Sequence, residues 1–208
     1  MLLVILKNTL KIHNKGFINR KCNLLILGLH DSGKSTLLSR LKHDRLVQHS
    51  PTVHPWDEEF TIDNVTFKGY DLGGHILALR FWRRYIPAVE GIVFVVDASN
   101  SQLLPEARQE LDSILTDEDL YDVPVLLLGN KADKTGCYGK EQLIKELEID
   151  QHISNNINAD EKSSIRPCTL IMSSVVQQTG YGDGLKWMAT QIHEKDRKQN
   201  NSTTVTSS

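Results

Sequence analysis

Apolar residues run along this chain in two rhythms. Residues 22–28 (CNLLILG), 91–97 (GIVFVVD) and 123–130 (VPVLLLGN) are nearly continuous apolar runs. That pattern suits strands buried on both faces rather than strands with one wet side. Between them the spacing changes. Leu37, Leu38 and Leu41 predict a helix over 34–43, and residues 102–115, 140–147 and 184–194 read as further helices. Residues 59–63 and 65–71 read as two strands around a tight Asp63-Asn64 turn, a hairpin, and 167–173 as a sixth strand. Buried strands separated by helices predict βαβ units. The expected fold is α/β: a mostly parallel six-stranded sheet with one antiparallel edge strand and helices on both faces. No internal repeat is visible. Residues 150–166 read as a long polar surface loop and 197–208 as a disordered tail, leaving 21–196 as the domain.

Composition refines this picture at the N-terminus. The 208 residues carry a formal net charge of −2, which gives no reason to expect nucleic acid as a partner. Residues 1–23, however, hold Lys7, Lys11, Lys15, Arg20 and Lys21 and no acid, so the rest of the chain is at −7. A basic end on an acidic body points to an anionic surface as its partner. The apolar run from Met1 to Leu6 is far short of the ~20 residues that cross a bilayer. It has no basic stretch ahead of it and no small-residue cleavage site, so it does not read as a secretory leader. Leu2 stands where N-myristoylation needs glycine. Residues 1–20 therefore read as an apolar and basic membrane-binding segment. Cys22, Cys137 and Cys168 are odd in number and lack CxxC spacing, which suits free thiols in a reducing compartment.

Three motifs carry the chemistry. Gly28-Leu-His30-Asp31-Ser32-Gly33-Lys34-Ser35 fits GxxxxGK[ST], after a predicted strand and ahead of a predicted helix. Such a loop wraps a diphosphate with its amides, helped by the helix N-terminus. Lys34 would neutralise the outer phosphates, Ser35 would coordinate Mg²⁺, and Thr36 continues the loop into the helix. The motif alone serves ATP and GTP enzymes equally. Asp71-Leu-Gly73-Gly74-His75 follows a strand, where ligands of open α/β sheets bind. Asp71 would stand near the Mg²⁺, and Gly74 would let a backbone amide approach a γ-phosphate. Asn130-Lys131-Ala132-Asp133 ends another strand. An ionised carboxylate only accepts hydrogen bonds, and guanine offers it two adjacent donors where adenine presents a lone pair. Asp133 would thus select guanine, with a mismatched base leaving its charge unpaired. Lys131 would cover the ring with its stem and Asn130 would tie neighbouring loops. Thr52 would add a hydroxyl to Mg²⁺, and Ser174, Val175 and Val176 follow the sixth strand where an amide reaches guanine O6. The histidines at 43, 49 and 54 show no metal spacing, and Trp82 and Trp187 read as packing residues.

Taken together, the phosphate loop, HSPTVHP at 49–55, DLGGH, NKAD and the stretch RPCTLIMSSVVQQTGYGDGLKWM resemble the small GTPases of the COPII vesicle coat. The resemblance covers about residues 20–193. The alternative is the ADP-ribosylation-factor type, which usually has Gln where this chain has His75 and glycine where it has Leu2. The resemblance implies a P-loop small GTPase that binds GTP and GDP with Mg²⁺ and hydrolyses GTP. It implies cytoplasmic protein held peripherally on endoplasmic reticulum and Golgi membranes by the N-terminal segment. Its implied partners are a membrane-bound exchange factor, the inner-coat subunits, and an activator that supplies an arginine in trans. His75 matches the residue that positions the attacking water. Two departures stand out. The family usually reads Asp-Asn-Ala where this chain has His30-Asp31-Ser32, and Glu where it has Ile76. They keep a second expectation open, a GTP-loaded scaffold with little hydrolysis.

Overall fold

The computed structural model describes residues 20–43, 56–62, 65–71, 89–153 and 166–205. In chain order these form β1 (Arg20–Leu27), α1 (Lys34–His43), β2 (Trp56–Ile62), β3 (Val65–Asp71) and β4 (Gly91–Asp97). There follow a 3-10 turn at Ser101–Leu103, α2 (Leu104–Leu115), a second 3-10 turn at Glu118–Leu120, β5 (Val125–Asn130), α3 (Lys140–Glu146), β6 (Cys168–Met172) and α4 (Tyr181–Val205). Among the described residues the strands make a six-stranded sheet in the order β2-β3-β1-β4-β5-β6. All neighbours are parallel except β2 and β3, so β2 is the antiparallel edge strand that the hairpin pattern predicts.

The continuous apolar runs have a simple origin. Successive strand residues point to opposite faces, and here both faces are covered. Leu24, Ile26, Val93, Val95, Leu126 and Leu128 join Leu37 and Leu38 of α1 and Leu185, Met188 and Ile192 of α4 on one face. Leu25, Leu27, Ile92, Phe94, Val96, Val125 and Leu127 join Leu104, Ala107, Leu111 and Ile114 of α2 on the other. Each fully buried leucine stabilises the fold by about 2 kcal/mol. Trp187 packs against the first of these clusters, as its helical setting predicts.

Most boundaries move by only one to three residues, for local reasons. The expected strand at 123–130 begins at Val125, because Pro124 has no N–H for the ladder. Its carbonyl still accepts from Ile92 at 2.9 Å. The larger difference is at the C-terminus. Helix α4 runs through Val205, well past the expected end at 194 and into the stretch expected as a disordered tail. Residues 185–205 contain no Gly or Pro, and HEKDRKQ at 193–199 is made of tolerant helix formers. Lys195 Nζ also anchors this stretch to the Asp122 carboxylate at 2.7 Å.

Arg166 pins the far end of α2. Its guanidinium donates to the carbonyls of Ile114 at 2.8 Å, Asp117 at 3.3 Å and Tyr121 at 3.3 Å, fastening the end of α2 to the 3-10 turn that follows it. The three cysteines are free thiols, and burial pushes the Cys168 thiol up to about 12. No helix among the described residues is long and apolar enough to cross a membrane.

Candidate functional site

Parallel strands deliver their C-terminal ends to one edge of the sheet, where ligands of open α/β sheets bind. The segments after β1, β4, β5 and β6 converge at that edge, and Asp71 ends β3 beside Ile26 of β1. The side chain of Asp71 is not described. Thr52, Gly74 and His75 lie outside the described residues, as do the Asp63-Asn64 turn, Trp82 and residues 1–19.

The phosphate loop is a backbone construction. Gly28 sits at φ +135°, where an added Cβ would collide with the Val95 carbonyl of β4. Gly33, at φ +101°, leaves room for the Asn130 amide, into which a Cβ would run. Asp31 is also left-handed, at φ +57°. Leu37 N–H donates to the Gly33 carbonyl at 2.8 Å, so the helical ladder of α1 begins directly at the loop. The positive end of α1 therefore adjoins the loop, an arrangement suited to an anion. Lys34 is only 5% exposed and donates from Nζ to the Leu29 carbonyl at 2.8 Å. His30 and Asp31 project into solvent, while Ser35 and Thr36 are half-buried in the first turn of α1. The Ser32 hydroxyl is buried without a hydrogen-bond partner. Ser32 acts instead through its carbonyl, which accepts from Asn130 Nδ2 at 2.8 Å.

Asn130 is the hinge pin between loops. Its Nδ2 holds the phosphate loop, and its Oδ1 accepts the Val175 N–H at 3.3 Å. The role expected for it, tying neighbouring loops, is met by these two bonds. Val175 differs from expectation. It is buried, and its amide faces Asn130 rather than standing ready for a purine carbonyl. That leaves the amide of Val176, a residue 59% exposed, as the candidate donor.

Asp133 is exposed at the mouth of this corner, and its Oδ1 accepts the Ser174 hydroxyl at 2.5 Å. Ser174 is held in turn by Gln177 N–H, which donates to Oγ at 3.0 Å, and by its bridge to Thr179. Each carboxylate oxygen carries two lone pairs, so Asp133 keeps acceptors for two donors of a base. The β5 and β6 loops are joined by Ala132 N–H to the Ser173 carbonyl at 3.1 Å.

Two residues escape the motif reading: Asp97 and Ser99. Lys131 Nζ donates to Asp97 Oδ2 at 2.7 Å. Ser99 donates twice to Oδ1, from N at 2.9 Å and from Oγ at 2.6 Å. Burial opposes ionisation of Asp97, but the bonds from Lys131 and Ser99 outweigh it and hold the carboxyl below its ordinary range. The signal available in the sequence is an Asp closing a buried strand with Ser two residues on, a turn signature rather than a nucleotide motif.

The oxygen donors assigned to Mg²⁺ are chemically suitable, since Mg²⁺ takes hard oxygen ligands and relies on phosphates and waters for most of them. Ser35 lies at the loop's exit, and Asp71 ends the neighbouring strand. No cluster of three His, Cys, Asp or Glu residues that would cage a metal by itself occurs among the described residues.

Known proteins share this plan. The family profile described as the ADP-ribosylation factor family matches residues 8–192. The small COPII coat GTPase SAR1B of Dictyostelium discoideum is 37% identical over 179 residues, spanning 83% of this chain and 88% of that protein. The small COPII coat GTPase SAR1 of Giardia intestinalis is 33% identical over 174 residues, spanning 84% and 91%. ADP-ribosylation factor 1 of Brassica rapa subsp. pekinensis is 29% identical over 176 residues, spanning 85% and 91%. Among solved structures, the Arl6 BBS3 small GTPase from Trypanosoma brucei with bound nucleotide analogue GppNp superposes with a TM-score of 0.72. It covers 84% of this chain and 98% of its own, and at 24% identity the likeness speaks for the fold.

Proposed function

This chain belongs to the ADP-ribosylation factor family of small GTPases, and from that premise we propose that it is the guanine-nucleotide switch that starts COPII coat assembly on the endoplasmic reticulum. The observation that carries the nucleotide chemistry is the Asn130 side chain, which fastens the phosphate loop and the base corner into one site. The coat role is supported by identities of 33% and 37% to COPII coat GTPases, against 29% to an ADP-ribosylation factor.

In this reading the loop amides and Lys34 hold the phosphates, and Asp133 accepts the two donors of guanine. Ser35, Thr52 and Asp71 would hold Mg²⁺, which would neutralise charge on the outer phosphates. GTP brings Thr52 and the Gly74 amide onto the γ-phosphate and frees the basic, apolar N-terminal segment for the membrane. His75 orients the water that ends the cycle, with an arginine supplied by a coat subunit.

A second reading is a GTP-loaded scaffold with little hydrolysis. It is favoured by His30, exposed on the phosphate loop where the coat GTPases usually carry Asp. GTP turnover by the purified protein, with and without a COPII inner-coat activator and liposomes, separates the two. Stimulated turnover that drops in His75→Gly, with GTP binding retained, is the expected result. Tight GTP binding without any stimulation supports the scaffold instead.

A further inference from the structure

We propose that Asp97 is a positioning residue of the nucleotide site: it holds the Lys131 ammonium so that the lysine stem lies along the purine face, slowing nucleotide release without taking part in the choice of base. The inference rests on the guanine-nucleotide reading above.

Asp97 and Asn130 are register partners at the ends of β4 and β5, so Lys131 leaves its strand directly beside the Asp97 carboxylate. The carboxylate is divided between two tasks. Oδ1 takes both donors of Ser99, which stops the group from rotating, and Oδ2 meets Lys131 Nζ at 2.7 Å. The aspartate side chain is 8% exposed and the lysine 23%, so solvent screens the pair only weakly. Lys131 also occupies the left-handed region at φ +63°, unusual for a side chain of its length. Its stem is therefore fixed at both ends, by the backbone turn and by the ion pair. Two backbone bonds keep the loops in step: Ala98 N–H to the Asn130 carbonyl at 2.9 Å, and Tyr138 N–H to the Ala98 carbonyl at 2.8 Å.

A lysine loses more rotamer freedom on being ordered than most residues. Ordering it beforehand removes that cost from ligand binding. The base-reading carboxylate is a different residue, Asp133, held by Ser174. Affinity and selectivity thus fall on separate acids. The ammonium's partner, Asp97, makes no claim on the purine donors.

The test is the release of fluorescent GDP and GTP from the full chain with Mg²⁺. Asp97→Asn should speed the release of both nucleotides about tenfold, as loss of one charge-assisted bond does. The preference for guanine over adenine and xanthine nucleotides should not move. Lys131→Met should give a similar acceleration, and the double variant should add nothing to either single change. Asp97→Glu, which restores the charge, should release nucleotide at an intermediate rate, and it also answers the question if Asp97→Asn fails to fold. Unchanged release from Asp97→Asn, or additive effects in the double variant, overturns the proposal while leaving the nucleotide reading intact. A wild-type protein that binds no guanine nucleotide overturns both.

Discussion

The phosphate loop and the base corner share one sheet edge but depend on different parts of the chain. In the proposed site the loop binds mainly through its backbone, with Lys34 and Ser35 as its side-chain contributors. Gly28 and Gly33 let it pass against Val95 and Asn130, and the side chains of His30 and Asp31 point away into solvent. In the corner the proposed contacts are side chains. Asp133, Ser174, Lys131, Asp97 and Ser99 form two hydrogen-bonded groups on either side of Asn130. The loop should therefore tolerate many side-chain changes and no loss of its glycines, and the corner the reverse.

The harshest break in that comparison is Gly33→Val. The new side chain would meet Asn130 Nδ2 from a φ of +101°, so it strains the loop and unfastens the corner together. GTP affinity measured by calorimetry should fall by more than about a hundredfold. A smaller loss would mean that the two regions are not coupled through Asn130.

Next comes Asp133→Asn. Guanine meets an amide where it needs an acceptor pair, and GTP affinity should fall about a hundredfold. Xanthosine nucleotides should gain, because the amide donates to their 2-oxo group. Equal GTP affinity in wild type and variant would sink the base-recognition argument.

The smallest effect is a constancy. Asp97 titrates below the ordinary aspartate value of 3.8, held there by Lys131 and Ser99 against its burial. A depressed carboxyl contributes fully above its unfolded value and loses that contribution only as pH falls through the folded one. The ratio of nucleotide release rates between Asp97→Asn and wild type should thus stay constant from about pH 8 to about pH 5. Using the ratio cancels any pH effect common to the two proteins. A ratio that shrinks across this range would mean that the carboxylate is not the ionised partner of Lys131.

The motif residues could be read from the chain because each is a local solution to a local problem. A loop that must turn sharply between strand and helix needs Gly28 and Gly33 whatever lies elsewhere. The strands were legible for the same kind of reason, since being covered on both faces leaves a continuous apolar run. Asp97 could not be read this way. Its role depends on β4 lying beside β5, and the two strands are separated by α2 in sequence. Val175 shows the same limit, because its amide is claimed by Asn130, 45 positions away. The extension of α4 was obscured by polarity, which suits a tail as well as it suits a solvated helix anchored by one ion pair.

By itself, then, the sequence determined the βαβ order, the antiparallel edge strand, the glycine-dependent loop and the acid proposed to choose guanine. These follow from periodicity, backbone freedom and the hydrogen-bonding inventory of single residues. The tertiary structure decided which amide Asn130 occupies, which acid holds Lys131, and how one asparagine joins two loops. Those are relations between strand ends brought together only when the sheet forms, and no local pattern encodes them.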